Sequence, residues 1–287
     1  MADLTTTARI LVLTFLVATM VSLGMQTGIS DLRSLLASRS FLARTLLANF
    51  VVAPIVGVAL VLLLPLEPPT AGALVLLACT PGGLSAIQFT SQVKGSAASS
   101  VAVMFLLALL AIFISPPLLK LVLPAKVPMV VPYGSALLFF LAILLVPLLA
   151  GMLLLAKAPG AATKLSKLTG LVGIVAFVGF MVVTGAARQL AVGQVGQVAV
   201  GAMVLFILAT MAVGWLMAGP ARDARRILAS ATSMRNAALC IAIVESSAPG
   251  HAVLVHLIAF SLLMVPTNML FSVYNSVQEK RRARKAT

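Results

Sequence analysis

Residues 71–92 read AGALVLLACTPGGLSAIQFTSQ, an apolar run that breaks in its middle at Thr80-Pro81-Gly82-Gly83 and then turns polar with Ser85, Gln88, Thr90, Ser91 and Gln92. Proline lacks a backbone donor and clashes with the preceding turn, and two glycines in succession remove helix propensity. A run of about 20 residues is what a helix needs to cross hydrocarbon, so this break falls at membrane depth. Backbone groups freed there persist only where protein or a watery cavity satisfies them. The stretch 227–247 in the other half of the chain is interrupted in the same way, by Thr232-Ser233-Met234-Arg235-Asn236. Either break alone reads equally well as a kinked, closely packed helix. One in each half points to an inverted-repeat transporter whose site lies where two discontinuous helices meet.

Composition places the whole chain in lipid. Hydrophobic residues make up 61% of it and charged residues 9%, with a mean hydropathy of +1.16; a soluble domain carries about 25% charged residues. The long Leu/Val/Ala runs lack the alternation of about ten residues that marks a membrane β-barrel. Nine spans are expected, roughly 8–27, 41–64, 71–92, 97–117, 133–156, 168–187, 197–219, 227–247 and 252–274, joined by short turns such as Pro65-Leu66-Glu67-Pro68-Pro69 and Ala158-Pro159-Gly160. The fold class is an all-α polytopic membrane protein. Residues 1–287 form one transmembrane unit, with repeats over about 8–117 and 133–274 and a basic tail over 275–287. The first apolar run lacks the start and cleavage site of a signal peptide and reads as a retained span.

The net charge of +14 belongs to topology. Basic loops stay cytoplasmic. With the N-terminus outside, fifteen Lys and Arg, among them Arg33, Arg39, Arg44, Arg225 and the run Lys280 to Lys285, fall on the cytoplasmic side. Arg9, Lys120, Lys126 and Arg188 fall outside, and Arg235 alone lies within the membrane. The protein is expected in the cell membrane, multi-pass, with its C-terminus cytoplasmic. Membrane lipid is a partner and nucleic acid is not, because no basic stripe carries interleaved aromatics. Cys79 and Cys240 sit in apolar segments and read as packing residues. His251 and His256 have no second ligand at metal spacing, so no metal or other cofactor is expected.

Several stretches resemble the bile acid:sodium symporter family. Thr80-Pro81-Gly82-Gly83 through Lys94-Gly95 to Ser99-Ser100-Val101-Ala102-Val103 is similar to the family's Pro-Gly-Gly, polar half-helix and Ser-Val-Ala-Val helix. Ser233-Met234-Arg235-Asn236-Ala237-Ala238-Leu239 resembles its Gly-Met-Gln-Asn-Ser-Gly-Leu crossover, and Ser22-Leu23-Gly24-Met25-Gln26-Thr27 the end of an early helix. Asn49 precedes Pro54 where the family often has Gln before Pro. The resemblance implies nine spans, panel and core domains, two crossing broken helices, and transport of an organic anion by alternating access. It also exposes departures. The family's sodium ligands include a carboxylate and, four residues later, the crossover Gln; here Ala231 and Arg235 stand there. Its Ser-Asn pair becomes Ala86 and Ile87, although Ser85 could serve with a one-residue shift, and a Thr ligand becomes Met104, while Ser100 and Asn236 remain.

The residues read on their own agree with those departures. The six acids are Asp3, Asp31, Glu67, Asp223, Glu245 and Glu279, and the expected topology puts none at the midplane. A hard cation wants several oxygens. Arg235 costs about 3 kcal/mol or more to place in the bilayer, so it must face a cavity or a partner. Its guanidinium suits a carboxylate or sulfonate, and it could replace a bound sodium; the plainer alternative pairs it with Glu245.

The substrate or crossover candidates are Arg235, Asn236 and Ser233 at the second break, with Thr80, Pro81, Gly82, Gly83, Ser85 and Gln88 at the first. Asn49, Ser100 and Asn268 join them at membrane depth, where interhelical hydrogen bonding is the competing role. The expected function is sodium-independent transport of a bile-acid-like or small-carboxylate anion by a monomer, with no bound sodium. Two readings compete with it: a sodium-coupled symporter, and a non-transporting receptor or structural protein. A channel is disfavoured because no charged ring or filter motif occurs, and an enzyme because no central acid or histidine could act as its base.

The charge asymmetry yields the first prediction. Single cysteines placed at Asp3 and at Thr287 will be labelled by an impermeant reagent from opposite sides of sealed vesicles. Labelling of both from one side would mean an even number of spans.

Overall fold

The computed structural model describes residues 2–83, 97–122, 138, 141–188, 195–245 and 251–286. Among these residues every named element is helical. The α-helices are α1 (Ala2–Gln26), α2 (Ile29–Ala37), α3 (Arg39–Leu47), α4 (Ala53–Leu63), α5 (Pro68–Cys79), α6 (Ala97–Val122), α7 (Val146–Lys157), α8 (Pro159–Arg188), α9 (Gln197–Met217), α10 (Arg222–Ser233), α11 (Ala237–Glu245) and α12 (His251–Ala286). Among the described residues six helical stretches are long and apolar enough to cross a membrane: Thr6–Gln26, Arg39–Leu63, Ser99–Val122, Pro159–Phe180, Gln197–Met217 and Val253–Gln278. Two shorter apolar stretches, Pro68–Cys79 and Leu141–Lys157, accompany them. The chain is an all-α polytopic membrane protein. Large apolar side chains point outward, among them Leu62 (79% exposed) and Leu121 (83% exposed), an outer surface suited to hydrocarbon and not to water.

Prolines set several boundaries. Leu64, ahead of Pro65, is extended and ends α4, as the residue before proline prefers. Pro68 and Pro69 open α5, and Pro159 opens α8 after the single turn residue Ala158. The turns expected at Pro65–Pro69 and Ala158–Gly160 are therefore shorter than the sequence reading, because a first-turn N–H has no helical partner to lose. Two π-helical segments, Ala48–Val52 and Leu141–Leu145, each lie just ahead of a proline, Pro54 and Pro147. In each case the ring meets the carbonyl four residues back, that of Phe50 or Ile143, and the turn widens around it.

Three elements differ from the expected spans. Helix α2 was not foreseen; it starts after Gly28, whose backbone N–H donates to Asp31 Oδ2 at 3.1 Å. Helix α8 begins at residue 159 and not near 168. Helix α12 runs on past the span expected to end near 274, so residues 275–286 of the basic tail continue a helix.

Helix α1 packs chiefly against α8 and α7, while α9 packs on α10 and α4, and α12 on α5 and α11. Small residues permit the first contact. A Cβ on Gly24 would collide with Leu148 O, and one on Gly151 with Val21 O, so α1 and α7 touch backbone to backbone, the small-residue packing typical of membrane helices. Ser22 Oγ donates to Ser166 O at 2.8 Å and ties α1 to α8.

This contact is testable. Gly151→Leu should lower the unfolding midpoint in detergent by the equivalent of about 1–3 kcal/mol of overpacking. Gly160→Leu, at a position with open space around it, is the control. Equal midpoints for the two variants would refute the close α1–α7 approach.

Candidate functional site

The two sequence breaks meet. Helix α5 stops at Cys79, and Thr80 stays tied to it: its N–H donates to Leu77 O at 3.2 Å and its Oγ1 to Leu76 O at 2.8 Å. Helices α10 and α11 are separated by Met234-Arg235-Asn236. Between the two gaps runs a short antiparallel pairing centred on Pro81 and Arg235. Asn236 N donates to Thr80 O at 2.9 Å, and Gly83 N donates to Met234 O at 3.3 Å. The bonds come from residues flanking the pair, so the missing N–H of Pro81 costs nothing there. Each broken helix thus satisfies part of the other's freed backbone at membrane depth, as hydrocarbon requires.

Glycine is needed at both following positions. Gly82 has φ +91°, and a Cβ there would lie 2.9 Å from Ala108 N; at Gly83 a Cβ would lie 2.7 Å from Arg235 O. A side chain at either would strain the backbone or push the pairing apart.

Side chains brace the crossing from four directions. From α6, Ser115 Oγ donates to Cys79 O at 2.7 Å and caps the end of α5. From α12, Asn268 Oδ1 accepts from Ser233 Oγ at 2.9 Å, while Asn268 Nδ2 donates to Met264 O at 3.0 Å. From the π-helical segment before α4, Asn49 Nδ2 donates to Thr45 O at 3.0 Å and to Thr232 Oγ1 at 3.3 Å. From α11, Cys240 Sγ lies 2.9 Å from Thr80 Oγ1; the threonine proton is committed to Leu76 O, so the thiol is the donor. Asn236 caps α11, its Oδ1 accepting from Leu239 N at 3.0 Å.

Arg235 occupies the centre and is 1% exposed. Its backbone N–H donates to Met264 Sδ at 3.2 Å. Its Cζ lies 5.8 Å from the centroid of the Phe206 ring on α9, within the range of a cation–π attraction. Its Nε, Nη1 and Nη2 are all buried without a hydrogen-bond partner among the described residues. Glu245 ends α11 ten residues further along the chain, about 15 Å by regular helical rise. Among the described residues the buried acceptor Asn49 Oδ1 is also unpartnered.

Of the sequence candidates, Thr80, Pro81, Gly82, Gly83, Ser233, Arg235 and Asn236 are gathered at one point, with Asn49 and Asn268 attached to it through Thr232 and Ser233. Ser100 is fully buried on α6. Ser85 and Gln88 lie outside the described residues. Ser115, Phe206 and Met264 were missed, and Cys240 was read as packing alone. Only Ser115 left a trace in the sequence, as a hydroxyl beside Pro116-Pro117 in an apolar run.

A family model described as Sodium Bile acid symporter family matches residues 13–187, more than half of the chain. That range includes α5 and the Pro-Gly-Gly break; Arg235 lies beyond it. No match was found among curated proteins.

The Ser233–Asn268 bond carries a prediction. Ser233→Ala and Asn268→Leu should each cost about 1–3 kcal/mol of stability, the penalty for an unmatched buried polar group. The double variant should cost clearly less than the two together. Strict additivity in thermal unfolding would show that the two side chains do not act as a pair.

Proposed function

Because the chain belongs to the sodium bile acid symporter family, we propose that it is a secondary transporter that carries an organic anion across the cell membrane without bound sodium, with Arg235 in the cation's place. The substrate class is a bile-acid-like molecule or a small carboxylate. The observation that carries the reading is a fully buried guanidinium at the meeting of two broken helices. Helices α5 and α10 both direct their C-terminal ends to this point, and each such end carries about half a negative charge. A positive charge belongs there. In this chain it is tethered.

The donor set argues against sodium in the same place. Ala231 is fully buried and offers no oxygen from its side chain, and Arg235 presents N–H donors. A hard cation needs several oxygens, and at a separation of about 4 Å a second positive charge would be repelled by several kcal/mol at an effective dielectric near 20. A guanidinium stays charged at ordinary pH, so the charge at the crossing does not follow sodium concentration. The sodium-coupled reading draws support from Asn49 Oδ1, a buried acceptor without a partner, but one oxygen is a poor cation shell.

In this reading the helices make nine spans in two inverted repeats, with the N-terminus outside. Helices α1, α7 and α8 form the panel, and the helices around the crossing form the core. Alternating access moves the core against the panel. Flux into proteoliposomes separates transport from a receptor or structural role.

Substrate affinity measured in sodium and in an impermeant organic cation at equal ionic strength should agree. Sodium-specific tightening of about tenfold, equivalent to about 1.4 kcal/mol of coupling, would overturn sodium independence and favour the symporter.

A further inference from the structure

We propose that the Arg235 guanidinium is the binding site for a small inorganic anion of the halide class, distinct from the transported organic anion. The inference rests on the surroundings of the side chain and not on the transport reading.

The first ground is hydrogen bonding. A guanidinium presents five N–H donors. All three of its nitrogens are buried here and find no acceptor among the described residues. Buried donors, and buried charges above all, are held by acceptors in folded proteins. Among the described groups near it are the phenyl ring of Phe206 and the thiols of Cys79 and Cys240. None is a strong acceptor.

The second ground is that no carboxylate among the described residues bonds to the guanidinium, and the chain's acids stand away from the crossing along their own elements. The six acids are accounted for in the sequence, and none falls in the segments 84–96, 123–137, 189–194 or 246–250. Glu67 and Asp223 stand at the far ends of α5 and α10, each about 18 Å from the crossing by helical rise, and Glu245 is about 15 Å away along α11. Glu279 lies fifteen residues beyond Met264 on α12, about 22 Å away. Asp31 accepts from Gly28 N in α2, and Asp3 is in the first turn of α1.

The third ground is the balance of helix ends. The C-terminal ends of α5 and α10 bring negative partial charge, and the N-terminal end of α11 brings positive. Together they leave about half a negative charge against the full charge of Arg235. The site keeps about half a positive charge, enough to draw a monovalent anion, which also takes up the unmatched donors.

Size selects the class. Arg235 is 1% exposed, and the backbones at Gly82 and Gly83 pack closely on α6 and on the backbone of Arg235. A steroid-sized anion cannot reach the guanidinium through this packing, whereas a monatomic ion such as chloride or bromide, about the size of a methyl group, needs the least room beside it.

The test uses the full-length protein in detergent. Thermal stability is followed while gluconate, too large for the site, is replaced by bromide at constant ionic strength, and bromide is located in crystals by its anomalous scattering. A saturable stabilisation is expected, with the bromide peak against the Arg235 guanidinium. Arg235→Gln should weaken the bromide response by about tenfold or more, and Arg235→Lys, which keeps the charge without the fork, should weaken it less. If Arg235→Gln does not fold, the position of bromide in the unaltered protein decides. Bromide located elsewhere, or equal stability in gluconate and bromide, overturns the proposal. So does displacement of bromide by an organic carboxylate in simple competition, which would make Arg235 the substrate's own contact. Halide binding in a protein that shows no flux would leave this inference standing and defeat the transport reading.

Discussion

The backbone pairing of Pro81 with Arg235 is the constraint on which the rest of the molecule turns. A helix that stops in hydrocarbon strands N–H and C=O groups that no lipid can satisfy. Here two helices stop at the same depth, and each supplies partners for the other: Thr80 O takes Asn236 N, and Met234 O takes Gly83 N. The two breaks are therefore one feature. Neither helix could be interrupted alone without the stranded groups costing free energy, and neither could be repaired alone without depriving the other. The glycines follow from the same geometry, since the strands approach so closely that Gly83 has no room for a Cβ beside Arg235 O.

Around that pairing the described polar side chains form a brace. Ser115, Asn268, Asn49 and Cys240 arrive from separate helices, and each bonds to the end of a broken helix or to its last turns. A buried hydrogen bond contributes about 1 kcal/mol when made and costs more when left half made. The brace thus holds the crossing in one arrangement, and among its described residues Arg235 and Asn49 Oδ1 retain unused hydrogen-bonding capacity.

A central guanidinium without a carboxylate is an uncommon economy. Burial of an unpaired ion carries a penalty of several kcal/mol. Two C-terminal helix ends and the face of Phe206 offset part of it through charge alone, and they leave the donors free to take an anion. The same three groups explain why a positive side chain, and not an acid, is stable at this point. A carboxylate placed there would face two negative helix ends and need a cation to remain.

The sequence by itself determined the solvent, the helical class and the two breaks, because those follow from composition, from the length of apolar runs and from the backbone chemistry of Pro81, Gly82 and Gly83. It also singled out Arg235, since one charge among apolar residues at membrane depth requires a reason. Element ends were less legible: Pro68 and Pro159 read as turns but open helices, and the basic segment after 274 continues α12, because local composition does not tell a capped helix start or a solvated helix from a loop. Only the tertiary structure decided what Arg235 meets. That Phe206, Met264, Cys240 and Ser115 converge on the crossing depends on how α9, α12, α11 and α6 rotate about their axes when they pack. In a membrane span that is apolar on every side, no periodicity in the sequence records which face turns inward.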